Sequence, residues 1–377
     1  MLLHCGKTTA YDFYTTLEKL TNNLGGRQYT YKGIWYKSWY LSFLCLARHW
    51  RHLKELKRAG RGNDGIRKVA ETQPGELAVK FIACPSPGVN LPEGWENASP
   101  DDRFLYCIFI AIDACFPLKR RHAGSWSTDP PMCDGGSYFV ESGLYREYCK
   151  KMQDQDEICT CTRLAAMDFA NTKYSKGCST TGVGMATCGC HEIVMPNGVG
   201  DLQKGEQYGN IDYIWASTMR HVHILLWILL TYNIICQWFK KLAECIKNLL
   251  PLLHILGHLL SCQDYFNLLY TLGAAMSDME GIECIWSGSG LLGTSTCEMG
   301  PGNRQNTIED YWHNWNWRKN VLQGAILCKQ LDRALKELSD QEDSFNTFQA
   351  NQPQEVEAWK KLVENFEHGQ STENPFS

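Results

Sequence analysis

The chain has 377 residues, 37 Lys+Arg against 41 Asp+Glu, and 18 Cys. That length suits two or three domains with a sizeable core, and 21% charged with 12% aromatic residues excludes a disordered chain. A net charge of −4 excludes a whole-protein polycation, so any nucleic-acid surface is local.

The opening MLLHCGKTTAYDFY has no basic stretch followed by an apolar one, so secretion is not expected and the Asn97-Ala98-Ser99 sequon carries no weight. Without an oxidising compartment, the many thiols are expected to fill cores or bind metal. Ala47 to Lys68 then carries eight bases (Arg48, Arg51, Lys54, Lys57, Arg58, Arg61, Arg67, Lys68) against Glu55 and Asp64, a local +6. Trp50, Leu53 and Leu56 fall at helical spacing, and Gly60-Arg61-Gly62 ends the run. Such a helix is either a phosphate-contacting surface or simply a solvated face. Cys84 to Pro92 reads as an extended, turn-rich connector.

Phe104 to Phe116 is a long apolar run of the kind buried on both faces of a sheet, with Asp113 near its end. An acid there is costly unless paired or bound to a metal. From Asp129 to Asp212 glycine-rich turns alternate with short apolar segments; the Gly182-Val183-Gly184 is too short for a dinucleotide fingerprint. His223 to Cys236 is apolar, but its uninterrupted part, Ile224 to Leu230, falls far short of the roughly 20 residues a spanning helix needs. A buried strand feeding a helix fits better, leaving Asn233 at its end. Glu280 and Glu283 sit where a helix should start. From Thr307 the chain reads as helix, with an apolar stripe of Val321, Ala325, Cys328, Leu331, Leu335 and Leu338. The last 47 residues hold ten acids and four bases, a local −6.

Three constellations carry chemistry. Two strand-borne acids and a helix-borne one can hold two divalent cations for phosphodiester chemistry, although acids near apolar runs are common. His254-x3-His258-x3-Cys262 places three ligands on one helical face, and Cys188, Cys190 and His191 cluster likewise; either set can bind zinc or line a core. Cys159-Thr160-Cys161 is a tighter and weaker pair. The Gly300-to-Gln305 turn leads into a Trp- and Arg/Lys-rich helix that suits stacking on bases or packing in a core.

Several segments together resemble the Kyakuja-Dileera-Zisupton (KDZ) transposases, abundant in mushroom-forming fungi, and particularly members associated with a CxC2-like cysteine cluster. They are WRHLKELKRAGRG, ACPSPGVNLPEGWENA, IAIDACFPLKRR, FANTKYSKGCSTTGVGMATCGCHEIVMPNGVGDLQKGEQYGNIDYI, TYNIICQWFKKL, MEGIECIWS and EMGPGNRQNTIEDYWHNWNW, in the family's order across nearly the whole chain. The resemblance implies an α/β (α+β) fold, a ribonuclease-H-like mixed sheet flanked by helices, with helical N- and C-terminal extensions. The expected division is a basic helical region and connector over 1–100, a transposase core with a Cys/His-containing insertion over 101–320, and an acidic helical tail over 321–377.

It also implies a D-D-E site holding Mg2+ or Mn2+, with Asp113 as the first acid and Glu283, or alternatively Glu280, as the helix-borne one. His254, His258 and Cys262 match an HLPAHGxxC-like segment, and Cys188 and His191 match CxRHE, pointing to a structural Zn2+. Arg48, Arg51, Lys54, Lys57, Arg58, Arg61 and Arg304 are the expected contacts to DNA at transposon ends. An oligomer and a nuclear location are expected; a membrane or small-molecule substrate is not.

The departures bear on activity. The family's YDIACQ reads YNIICQ here, so Asn233 stands where the second metal-binding acid belongs. Its neutral carbonyl is a poor ligand for a hard dication. Met279 replaces the Gly of DGEG, Cys190 the Arg of RHE, Cys115 an Asn, and Phe81 the first Cys of CPACP, while Cys84 keeps the second. The family's upstream cysteine-cluster region is not part of this sequence. The expectation is a truncated, degenerate transposase whose ancestral strand cleavage and transfer is impaired. The alternatives are a non-catalytic DNA- or protein-binding remnant of the same fold, or a relic that never folds stably.

Overall fold

Period-two alternation builds the central strand. In the computed structural model, which describes residues 8–22, 28–29, 35–36, 38–62, 65, 67–152, 177–238, 246–249, 255–274, 277–371 and 373–376, strand β1 spans Ile108–Cys115 and all but Phe109 of it is buried. Ile108, Ile110 and Ile112 face one apolar layer; Ala111 and Cys115 face the other. The apolar run begins four residues before β1, because Pro100–Tyr106 coils into a 3-10 helix whose Pro and two Asp favour a turn over an extended entry.

Four further strands complete a mixed sheet: β2 (Gly182–Cys188), β3 (Ile193–Leu202), β4 (Ile228–Tyr232) and β5 (Ile246–Leu249), in the order β3-β2-β1-β4-β5. The β1–β2 and β2–β3 pairs are antiparallel, whereas β1–β4 and β4–β5 are parallel. The glycine-bearing segments Gly182–Cys188 and Ile193–Leu202 are therefore strand, whereas Gly135 and Gly189 do lie in turns. Gly184 and Gly200 serve close packing: a Cβ would stand 2.9 Å from Ile214 Cδ1 at the first and 2.9 Å from Tyr145 Cζ at the second.

Helices cover both faces. In chain order α1 is Ala10–Thr21, α2 Tyr40–Arg58, α3 Ser142–Lys151, α4 Tyr208–Met219, α5 Gly281–Ser289, α6 Pro301–Asn351 and α7 Pro353–Glu367. Ile211, Ile214 and Trp215 of α4 pack with Ile108, Ile110, Ile112, Leu230 and Tyr232. Ile282, Ile285 and Trp286 of α5, with Ile308 and Trp312 of α6, pack with Ala111 and Leu229 on the opposite face. Among the described residues no helix is long and apolar enough to cross a membrane.

The first quarter of α6 is buried, and it also protects the sheet edge. Asn316 accepts from Val194 N (3.1 Å) and donates to Val194 O (3.0 Å), while Glu309 accepts from the amides of Tyr138 and Phe139 in the segment beside β3. Trp312 is fully buried, so the core-packing reading of this aromatic helix holds for it. Beyond Trp317 the helix is mostly exposed, its stripe of Val321, Leu331, Leu335 and Leu338 included.

A left-handed Asn197 (φ +47°) locks the same edge, donating to Gly135 O and Phe139 O. Its Oδ1 accepts from His221 Nε2 at 3.0 Å. Burial, reinforced by Lys80 and Arg220, lowers the His221 pKa to about 4. The fold therefore favours neutral imidazole, the unfolded chain binds the extra proton, and stability falls as pH drops from 6.5 towards 4. His221→Gln is expected to flatten this part of the pH–stability curve in urea titrations. An unchanged slope would exclude His221 as its source.

Candidate active site

Strand registry brings Asp113 and Asn233 together. Ile112 pairs with Tyr232 in the parallel β1–β4 ladder, so Asp113 and Asn233 are the next residues at adjacent strand ends. Both continue the odd-numbered set of Ala111 and Leu229, which faces α5. Asp113 is buried, and its two oxygens each meet an N–H donor. Asn233 Nδ2 donates to Oδ1 at 2.9 Å and Trp286 Nε1 to Oδ2 at 2.7 Å. The amide orientation of Asn233 follows from charge, because its carbonyl turned to a carboxylate would repel.

Trp286 lies one turn after Glu283, which puts Glu283 on the same side of α5 as the indole that grips Asp113. Glu283 is exposed at the rim. Cys115 senses both acids: burial first, then the charges of Asp113 and Glu283, push its thiol up to about 12. Glu280, half-buried, is the N-cap residue of α5; its main-chain carbonyl, not its carboxylate, accepts from Glu283 N at 2.9 Å. Before it, Met279 holds a left-handed φ of +57° with its side chain buried. Glycine takes that conformation without strain, which accounts physically for a glycine preference there. Trp286 itself was not legible as a site residue, since an apolar helix position gives no sign of an indole N–H reaching a carboxylate. Trp286→Phe removes a hydrogen bond to a charged group and is expected to cost about 2 kcal/mol, read as a lower urea midpoint at constant m value.

Two thiol–imidazole clusters lie apart from these acids. Cys236, His258 and Cys262 bring their ligand atoms within 4.8 Å of one another, Cys236 Sγ lying 3.4 Å from His258 Nδ1. The shared helical face expected for His258 and Cys262 is not formed: 255–257 is a 3-10 turn and the α-helix starts at Leu260. Cys236, just past β4, joins them through tertiary contact, and sequence spacing gave no signal of it. Cys84, Cys188 and His191 form the second cluster. Hydrogen bonds from Cys84, then from His191, hold the buried Cys188 thiol well below its usual range. His254, Cys159, Cys161 and Asp64 lie outside the described residues.

The basic residues divide. Arg48 donates to Asp129, Asn306 and Pro130 O, and Arg51 to Thr307 beside Asp310. Arg61 is buried against Lys68 O and Thr72, and Arg304 is fully buried between Asp201 and Leu118 O. These four guanidinium groups tie the chain to itself. Lys57 and Arg58 are exposed and Lys54 half-buried, leaving a smaller cationic face than the charge count suggests.

A family model described as Kyakuja-Dileera-Zisupton transposase matches residues 106–316, more than half of the chain. This chain belongs to the KDZ transposase family. The matched segment contains the whole of the sheet, Asp113, Asn233 and Glu283, and ends within α6. No curated protein and no solved structure matches. Membership makes DNA the expected partner of the KDZ chain and gives a reason to ask whether its acids suit divalent metal.

Proposed function

We propose that this KDZ chain is a transposase-derived protein of ribonuclease-H-like fold whose metal-dependent strand cleavage and transfer is impaired, leaving DNA binding as its remaining activity. The mixed sheet covered by helices on both faces supports the fold reading, as do functional positions at adjacent strand ends next to a helix-borne acid. One observation carries the functional reading: Asn233 offers Asp113 an N–H group where a two-ion centre needs a second anionic oxygen. With Trp286 on its other oxygen, Asp113 is satisfied by protein donors. The residues present do not fit a pair of hard dications.

DNA would meet the exposed side of α2 through Lys57, Arg58 and the half-buried Lys54. The double variant Lys57→Ala, Arg58→Ala is expected to weaken binding to a non-specific duplex. It should also flatten the log K against log[salt] slope by roughly 2, since each neutralised phosphate contributes about 0.9. An unchanged slope would move the interface elsewhere. For the chemistry, supercoiled plasmid with Mn2+ is the test. The wild type should nick no faster than Asp113→Ala, and Asn233→Asp should nick faster than both. Wild-type nicking abolished by Asp113→Ala would overturn the impaired reading.

A further inference from the structure

Cys84 and Cys188–His191 are separated by about a hundred residues, yet they meet at one point, with Cys188 buried and the other two half-buried. Cys188 Sγ lies 3.3 Å from His191 Nδ1 and Cys84 Sγ lies 4.0 Å from it, all three ligand atoms falling within 4.8 Å. A tetrahedral zinc with thiolate and imidazole ligands has ligand–ligand edges of roughly 3.5–3.8 Å, so these three ligands need about an ångström or less of side-chain movement to share an ion. Both halves are held before any ion arrives. Asn90 Nδ2 donates to Cys84 O and Ile82 O (both 2.9 Å), and its Oδ1 accepts from Ser86 N. Across the site, Glu192 N donates to Cys188 O at 3.0 Å and Trp315 Nε1 to Glu192 O at 2.7 Å, pinning the β2–β3 turn to α6. Phe81 packs on the His191 ring at 4.6 Å and walls one side. Cys190, next to His191 in that turn, is exposed.

We propose that Cys84, Cys188, His191 and Cys190 bind one zinc ion, which clasps the 81–92 connector to the β2–β3 turn. Cys190 supplies the fourth ligand by a change of χ1 rotamer that brings its sulfur inward. Binding releases the thiol protons and leaves three thiolates and one neutral imidazole around the ion. The clasp is independent of the Asp113 site and of the impaired-transposase reading.

The test uses the full chain, purified reduced, stripped of metal and titrated with Co2+, in the wild type and in a Cys262→Ser background that disables the other cluster. Thiolate-to-cobalt absorbance should saturate at one ion per chain in that background. Cys84→Ser should weaken binding at least tenfold. The exposed Cys190→Ser, which should leave folding untouched, should remove about a third of the absorbance. Limited proteolysis should cut the connector over 81–92 faster after chelation and slow again on adding Zn2+. Unchanged absorbance in Cys190→Ser would overturn its role as ligand. Co2+ binding that is indifferent to Cys84→Ser, or a Cys84–Cys188 disulfide in the intact mass of protein purified without reductant, would overturn the site.

Discussion

Asn233→Asp is expected to make the protein less stable without metal and responsive to Mn2+. The change is nearly isosteric, so no cavity forms, but it replaces a 2.9 Å N–H···O contact with two carboxylates at the same separation. Like charges about 4 Å apart repel by about 4 kcal/mol at an effective dielectric of 20, so the pair keeps a proton and its upper pKa rises. The sign follows. The fold then holds a proton that the unfolded chain has lost, so the variant's stability falls as pH rises from about 4 through the raised value and levels off above it. At pH 7 the metal-free variant should lie about 2–4 kcal/mol below wild type. Mn2+ at a hundred times its dissociation constant should return about 2.7 kcal/mol, since it binds only the fold. Melting curves at pH 5 and 7, with and without MnCl2, check each part. Equal Mn2+ stabilisation of wild type and variant would show that Asn233 is not what limits metal binding.

Arg304→Ala should be the most destabilising single change outside the apolar core. Its guanidinium, fully buried, donates to Asp201 Oδ1 at 2.6 Å and to Leu118 O. Asp201 is the penultimate residue of the edge strand β3 and is itself buried. Removing the guanidinium leaves the buried Asp201 charge with only Arg120 among the described residues nearby to offset it, at a cost of about 3–5 kcal/mol. A fall in Tm of roughly 4–6 °C is expected for a chain of this size. Asp201→Asn in the same background should recover part of it, because the stranded charge is then gone. DNA affinity per folded molecule should stay at the wild-type value. A stable Arg304→Ala protein with weakened DNA binding would reverse the assignment of Arg304 to the fold.

Sequence periodicity goes a long way in the sheet. The run ending at Asp113 and the run ending at Asn233 read as buried strands, and the segment after Glu280 read as a helix start; the later part of each run is a buried strand and the helix starts at Gly281. Within the glycine-rich middle, Gly184 and Gly200 lie in strands and make room for Ile214 and Tyr145, which local sequence does not reveal, while Gly135 and Gly189 do sit in turns. Charge counting over 47–68 likewise treats every guanidinium as solvated. Arg48, Arg51 and Arg61 are bonded to acids and carbonyls brought in by α6 and by the segments around Thr72 and Asp129.

The same division applies to the cysteines, whose number in a near-neutral chain first pointed to metal. Sequence marked Cys188, His191, His258 and Cys262, because spacing places ligands that share one turn or helix. Only tertiary structure brought Cys84 to the first cluster and Cys236 to the second, since their partners come from other segments and spacing cannot encode that. That position 233 carries a neutral amide and not an acid was determined by the sequence alone. What the tertiary structure decided is what that amide meets. Parallel registry sets Asn233 beside Asp113, and α5 delivers Trp286 to the other oxygen, so two neutral N–H groups balance a buried charge.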